Sequence, residues 1–289
     1  MLPDKFKYIE SRKTSNREKT SLEELMDLGF GILRMESAVR DHTVNDIDQA
    51  VSACRIDYDE ADIEDLILSF GDSDLSDDEY ELLGYYTASL LSLLTRREDD
   101  KTIVKIDGGG IYFPYLFSRA ESFDEIYLSD FKGDRICSNM KDGNIVALSG
   151  IEGSDPCFAR GRQKLNVIDN LKGDIKDSAR HPMFPECTDY IFYRNIKGQG
   201  WPFFRLSLNK GRRFVVENVE DLRWKYVGGS DYEIVDLNRR GVLNKLLPPV
   251  YACSSTDHHS RETTIGNVHG FRKDIKNLFS QSPFRKYRL

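Results

Sequence analysis

The sequence predicts an α/β protein in which a helical N-terminal region precedes a mostly parallel β-sheet. Up to residue 98, apolar side chains recur at the spacing of amphipathic helices. From residue 101 onward, short β-prone runs are separated by spacers of helix length. This alternation is typical of βαβ units, with helices on both faces of the sheet.

Four helices are predicted in the first part of the chain. The first begins at the capping box Ser21-Leu-Glu-Glu24 and runs to about Arg40, and the last begins at the capping box Ser76-Asp-Asp-Glu79. Two shorter helices are expected at 45–53 and 61–69. We therefore divide the chain into a helical cap or lid at 1–98, an α/β domain at 99–250 and a C-terminal extension at 251–289.

Six strands are predicted in the α/β domain, and we find no internal repeat. The expected strands are 102–106, 125–129, a short run that ends at Asp174, and then 189–193, 213–217 and 232–236. In open sheets of this kind, ligands bind at the carboxyl ends of the strands.

A glycine cluster follows the first predicted strand, in the segment Ile106-Asp107-Gly108-Gly109-Gly110. Glycines at this point allow a sharp turn and a close approach of the backbone to a ligand. An ordinary tight loop explains the same residues equally well.

Two carboxylates follow later strands. Asp130 ends the second predicted strand, 22 residues after Gly108, and a βαβ crossover would place it beside the glycine turn, where it could bind a ribose diol. A helix cap or a surface acid is the alternative. Asp174 and Ile175 are expected at the end of the third strand, beside an adenine.

This order of motifs resembles the class I S-adenosylmethionine-dependent methyltransferases, which have a Rossmann-like fold. Leu208-Asn-Lys-Gly-Arg-Arg-Phe-Val-Val216 is similar to the turn before their fifth strand. Within the family, Ile111-Tyr112 and Glu125-Ile-Tyr-Leu-Ser-Asp130-Phe131 resemble the small-molecule N-methyltransferases of the nicotinamide and phenylethanolamine type. The resemblance covers about half of the chain.

The resemblance implies S-adenosyl-L-methionine as the cofactor and a small molecule as the methyl acceptor. It implies that the glycine turn holds the methionine part, Asp130 the ribose and Phe131 the adenine, so that the expected cofactor-binding residues are Asp107, Gly108, Gly109, Gly110, Asp130, Phe131, Asp174 and Ile175. Because methyl transfer mainly requires alignment of the reactants, we assign Tyr112, Asp189 and Tyr193 only the orientation or deprotonation of the acceptor. Ordinary core packing is the alternative for each.

Two other functions stay open. Val104 and Ile106 stand where the family has an acidic residue and its first glycine, which favours a degenerate, non-catalytic binding or regulatory protein. The basic segment from Phe271 to Leu289 supports an RNA-modifying enzyme, although the net charge of -7 makes nucleic acid an unfavoured partner.

Composition limits the remaining classes. No apolar run approaches the ~20 residues of a membrane span and the N-terminus lacks the apolar core of a signal peptide, so we expect a cytoplasmic protein without a membrane partner. The five cysteines form no Cys-x-x-Cys pair, and we interpret the segment Asp257-His258-His259 as a loop, so no metal site is expected.

Overall fold

The computed structural model describes residues 20–34, 40–157, 163–173, 188–196, 212–219 and 232–236. Four helices come first: α1 (Ser21–Leu33), α2 (Arg40–Ala53), α3 (Glu60–Phe70) and α4 (Asp77–Arg97). Seven strands follow: β1 (Ile103–Asp107), β2 (Ser122–Ser129), β3 (Asp142–Ser149), β4 (Gln163–Asp169), β5 (Thr188–Ile196), β6 (Arg212–Val219) and β7 (Tyr232–Asp236). In β5 to β7 the backbone is described, and of the side chains there only that of Asn195.

Helices α1, α3 and α4 begin at capping boxes, and the box of α1 lies one residue before the predicted position. Thr20, not Ser21, caps α1: its hydroxyl accepts from the Glu23 N–H at 3.3 Å, and the Glu23 carboxylate accepts from the Thr20 N–H at 3.0 Å. The Ser21 hydroxyl instead donates to Asp62 of α3 at 2.8 Å. At α4 the predicted box between Ser76 and Glu79 is confirmed.

Helix α4 is the centre of the N-terminal region. Its middle is buried, and two tyrosine hydroxyls fix it to its neighbours: Tyr86 donates to the Leu25 carbonyl of α1, and Tyr58 donates to the Leu90 carbonyl, both at 2.8 Å. Burial of both phenols requires such partners, because an unpaired buried hydroxyl would cost stability. None of the helices in the described part of the chain is long and apolar enough to cross a membrane.

The sheet is parallel throughout, and its seven strands lie in the order in which they occur in the chain. The predicted parallel sheet and helical N-terminal region are confirmed. The helices expected on both faces of the sheet are not found in the connections from β1 to β2 and from β2 to β3. Tyr115, Phe117 and Arg119 in the first connection have φ between 55° and 67°, and a helix cannot pass through left-handed residues at alternate positions.

The strands β1 to β3 and the connections between them form coils of a parallel β-solenoid, and β4 continues the pairing. Ile126, Val146 and Asn166 occupy one position of successive coils, 20 residues apart. The coils are also hydrogen-bonded beyond the strands, since the Lys132 N–H donates to the Ile111 carbonyl and the Glu152 N–H to the Phe131 carbonyl, at 2.8 and 2.9 Å. The prediction that the chain contains no internal repeat is therefore wrong, and β3 and β4 were missed with it.

The helical region closes the β1 end of this solenoid. The first coil has no preceding coil to accept its N–H groups, and side chains of the helices accept them instead. The Ser92 hydroxyl accepts from the Glu121 N–H at 2.9 Å, the Thr87 hydroxyl from the Phe117 N–H at 3.4 Å and the Glu60 carboxylate from the Ile103 N–H at 3.2 Å. A capped end is a general requirement of solenoids, because an open edge would pair with other chains.

Candidate functional site

The glycine turn belongs to a row of left-handed residues that ends the strands. Gly110, Asp130, Gly150 and Asn170 follow β1 to β4, with φ values of 90°, 53°, 66° and 54°. Glycine adopts this conformation without a steric penalty, and Asn and Asp tolerate it better than other residues. The chain therefore bends at the same point in each coil, and the glycine cluster is the first of these bends.

Internal contacts fill the glycine turn. The Asp107 carboxylate accepts from the Gly109 N–H at 3.1 Å, and the Gly110 N–H donates to the Asp130 carbonyl at 2.6 Å. A Cβ atom at Gly108 would lie 2.8 Å from the ring of Phe131, which is fully buried. The Phe131 ring thus occupies the space over Gly108, at the turn that was expected to hold the methionine part of the cofactor.

Asp130 is exposed and lies next to the glycine turn, as the spacing predicted, but its carboxylate is directed toward the following coil. Its Oδ1 atom lies 2.2 Å from the place that a Cβ atom of Gly150 would take. The carboxylate therefore covers Gly150, and the absence of a side chain there allows it to do so.

Tyr112 is the most prominent side chain of this region. Its side chain is 39% exposed, and no other large hydrophobic side chain among those that the structure describes is exposed. Its N–H donates to the Asp72 carboxylate at 2.7 Å, and its ring forms a T-shaped pair with the Tyr80 ring, with centroids 5.3 Å apart and an interplanar angle of 89°. Tyr112 begins a row that continues with Lys132, Glu152 and Lys172 in the next coils.

Carboxylates surround these tyrosines. Desolvation raises the pKa of Tyr112 above its ordinary value, and the nearby carboxylates of Asp77 and Asp134 raise it further. Burial, with Asp72 as the main charged neighbour, raises the pKa of Tyr80 to about 12. Two cations lie on the same side: Lys132 pairs with Tyr112 from the next coil, and the Arg135 guanidinium lies 5.9 Å from the centre of the Tyr115 ring. We call Asp72, Tyr112, Asp77 and Asp134 the Tyr112 corner.

The other two predicted catalytic residues are on a different strand from the one that precedes Tyr112. Asp189 and Tyr193 lie in β5, which β2, β3 and β4 separate from β1, so the predicted catalytic residues are not on neighbouring strands. Asp174 and Ile175 lie outside the described residues, as does the basic segment 271–289. Among the residues that are described, no group of His, Cys, Asp or Glu is arranged to hold a metal ion.

The sequence reasoning missed Asp72, Tyr80 and Asp134. The 20-residue repeat pairs Tyr112 with Lys132, and Asp134 lies two residues after Lys132. Recognition of the repeat would therefore have placed Asp134 near Tyr112. The same row continues with Glu152 and Lys172. Asp72 had no local signal, since it reaches Tyr112 through the loop after α3.

No protein-family model, curated protein or solved structure matches this chain.

Proposed function

We propose that this protein is a non-catalytic binding protein, and that the Tyr112 corner binds a lysine- or arginine-rich segment of a partner protein. The observation that carries the proposal is the exposure of Tyr112 at a fixed position among carboxylates. Tyrosine is enriched where proteins bind one another, because it offers a large and rigid contact area together with a polar group.

The chemistry of the corner favours a cation as the bound group. The Tyr112 ring offers an aromatic face to an ammonium or guanidinium group, and Asp77 and Asp134 add negative charge beside it. Unlike Asp57, Glu121 and Glu125, which form ion pairs with Arg97, Lys141 and Lys101, Asp77 and Asp134 have no ion pair within the described structure. Their charge is thus available to attract a basic partner.

The architecture supports binding rather than chemistry. Solenoids present extended surfaces whose shape is fixed by contacts between neighbouring coils. The first coil is held by the helical region through Ser92, Thr87 and Glu60. Tyr112 therefore projects from a rigid support, and binding would order few additional side chains.

Fluorescence anisotropy with the full chain tests the proposal. The probe is a labelled lysine-rich peptide, and a glutamate-rich peptide of the same length is the comparison. We expect saturable binding of the lysine-rich peptide alone, weakened by salt, and at least tenfold weaker binding for Tyr112→Ser and for the pair Asp77→Asn with Asp134→Asn, since tenfold corresponds to about 1.4 kcal/mol.

Asp142→Asn is the matched control, because Asp142 is an exposed acid at the start of β3, whereas Tyr112 follows the end of β1. It should bind the lysine-rich peptide as the parent does. Equal binding of both peptides, or loss of affinity in the control alone, would refute the Tyr112 corner as the binding surface.

Methyl transfer from S-adenosyl-L-methionine to a small-molecule acceptor stays a prediction from the sequence, although the helices expected on both faces of the sheet are not found between β1 and β3. Calorimetry with S-adenosyl-L-methionine and S-adenosylhomocysteine tests it independently of the peptide experiment. We expect no heat of binding for either compound, because Phe131 fills the space over Gly108. Saturable heat that is lost in Asp130→Ala would restore the methyltransferase as the better proposal.

A further inference from the structure

The interior of the solenoid changes character at β4. One interior position is Val104 in β1, Ile126 in β2 and Val146 in β3, but Asn166 in β4. A second interior position is Phe123 in β2 and Gly143 in β3, where the Phe123 ring fills the space beside the glycine, but it is Gln163 in β4. Two amide side chains thus replace apolar groups at these positions, although Ile168 and Leu171 continue the core.

Neither amide is satisfied. Gln163 is 1% exposed and Asn166 is 5% exposed. Both polar atoms of the Gln163 side chain and the Oδ1 atom of Asn166 have no hydrogen-bond partner in the structure as described. Buried polar groups without partners lower stability, and the apolar contacts of the preceding coils are lost at the same positions.

The other end of the solenoid is reinforced. There the helical region supplies acceptors to the first coil through Ser92, Thr87 and Glu60, and the core of the helices is continuous with that of the first coils. Within the described residues, two amides without hydrogen-bond partners thus lie in β4, whereas one such hydroxyl, that of Thr102, lies beside β1.

In a solenoid each coil contacts only its neighbours, so unfolding divides at the weakest interface between coils. We propose that the chain opens in two steps, and that β4 with the strands after it detaches from β3 while the helices and β1 to β3 stay folded. The opening exposes the backbone edge of β3, which is otherwise paired with β4 from Gly143 to Ser149.

Hydrogen exchange of the full chain, followed by mass spectrometry, tests this boundary. We expect the amides of β4 to exchange at least about tenfold faster than those of β2, which is the order that one unpaired buried polar group produces. Equal protection of β2 and β4 would overturn the proposal without any variant.

Two reciprocal variants locate the cause. Asn166→Val copies Val146 of the preceding coil and should slow exchange in β4 by about tenfold while leaving β2 unchanged. Val146→Asn places the same amide one coil earlier and should bring the exchange of β3 to the rate of β4. If Val146→Asn does not fold, Gln163→Met replaces it, because it removes the second amide at nearly constant volume and should also slow β4. Unchanged exchange of β4 in both Asn166→Val and Gln163→Met would show that the amides do not set the boundary.

Discussion

The Cα atom of Gly84 in α4 faces the backbone carbonyl of Tyr115 so closely that an added Cβ atom would lie 2.3 Å from the carbonyl oxygen. No flexible side chain is present at this contact to move aside. Gly84→Ala should therefore separate α4 from the first coil and destabilise the protein by about 1–3 kcal/mol, despite the higher helix propensity of alanine. Urea unfolding followed by circular dichroism measures the change.

Gly31→Ala in α1 is the matched control. A Cβ atom at Gly31 would have no neighbour within 4 Å, so only the helix propensity changes. We expect stabilisation by about 0.5–1 kcal/mol. Stabilisation by both alanines would mean that the close contact between Gly84 and Tyr115 is not present in solution.

Removal of the Ser92 hydroxyl should show what the cap contributes. In Ser92→Ala the Glu121 N–H loses its acceptor, and the expected loss is about 1–3 kcal/mol because that donor is left without a partner. Thr95→Val is the comparison, since the Thr95 hydroxyl only donates to the Leu91 carbonyl within α4, and it should cost less than about 0.5 kcal/mol. The urea midpoints of the two variants measure this difference in stability, and an equal loss of stability in both would argue against the capping role of Ser92.

Tyr80 should make the protein sensitive to alkali. Its neutral hydroxyl donates to the Ser73 carbonyl at 2.7 Å, and its pKa is raised from 10.0 to about 12. Because the phenol ionises more easily in the unfolded chain, its contribution to stability is complete below pH 10.0 and is lost as the pH rises through about 12.

Tyr80→Phe should make this decline shallower, as followed by urea midpoints at increasing pH. Other buried groups whose pKa values burial also raises, Tyr58 and Tyr86 among them, should contribute to the decline that remains. A variant that loses stability between pH 10 and 12 as steeply as the parent would contradict the assignment to Tyr80.

Phe131 and Asp130 should respond in opposite ways to substitution. Phe131→Ala removes a fully buried ring and should cost about 3–5 kcal/mol. Asp130→Asn keeps a residue that tolerates the positive φ of 53° and, because the side chain is exposed, should change stability by less than about 0.5 kcal/mol. Thermal unfolding of both variants tests the contrast, and a Phe131→Ala variant as stable as the parent would place the ring outside the core.

Local signals were sufficient to predict the four helices but not all of their bounds, since α1 ends at Leu33 instead of about Arg40 and α2 begins at Arg40 instead of residue 45. The box at Ser76 and Glu79 determines where α4 begins, and the strand Tyr232–Asp236 has the predicted bounds. The start of α1 was misplaced by one residue because Thr20 and Ser21 are equally suitable caps by residue type. The two hydroxyls are distinguished only by the tertiary structure, in which the Ser21 hydroxyl donates to Asp62 of α3.

The solenoid could not be recognised in the same way. The spacing between Gly108 and Asp130 suits a βαβ crossover, but it is also close to the length of one coil, and both folds place the two residues side by side. Distinguishing them requires the residues between, and the inward positions of successive coils differ: Phe131 is followed by Ile151, then Leu171. Such substitutions preserve the packing of each coil while removing similarity from the sequence.

The hydrogen bonds that Ser92, Thr87 and Glu60 make to the first coil have a consequence during protein synthesis. These residues leave the ribosome before the strands do. Each later strand then pairs with the strand that was synthesised just before it. The surface on which the next strand must pair is thus already present when that strand emerges. The chain can be built by addition in one direction, so that few of its parallel strands wait unpaired for a distant partner.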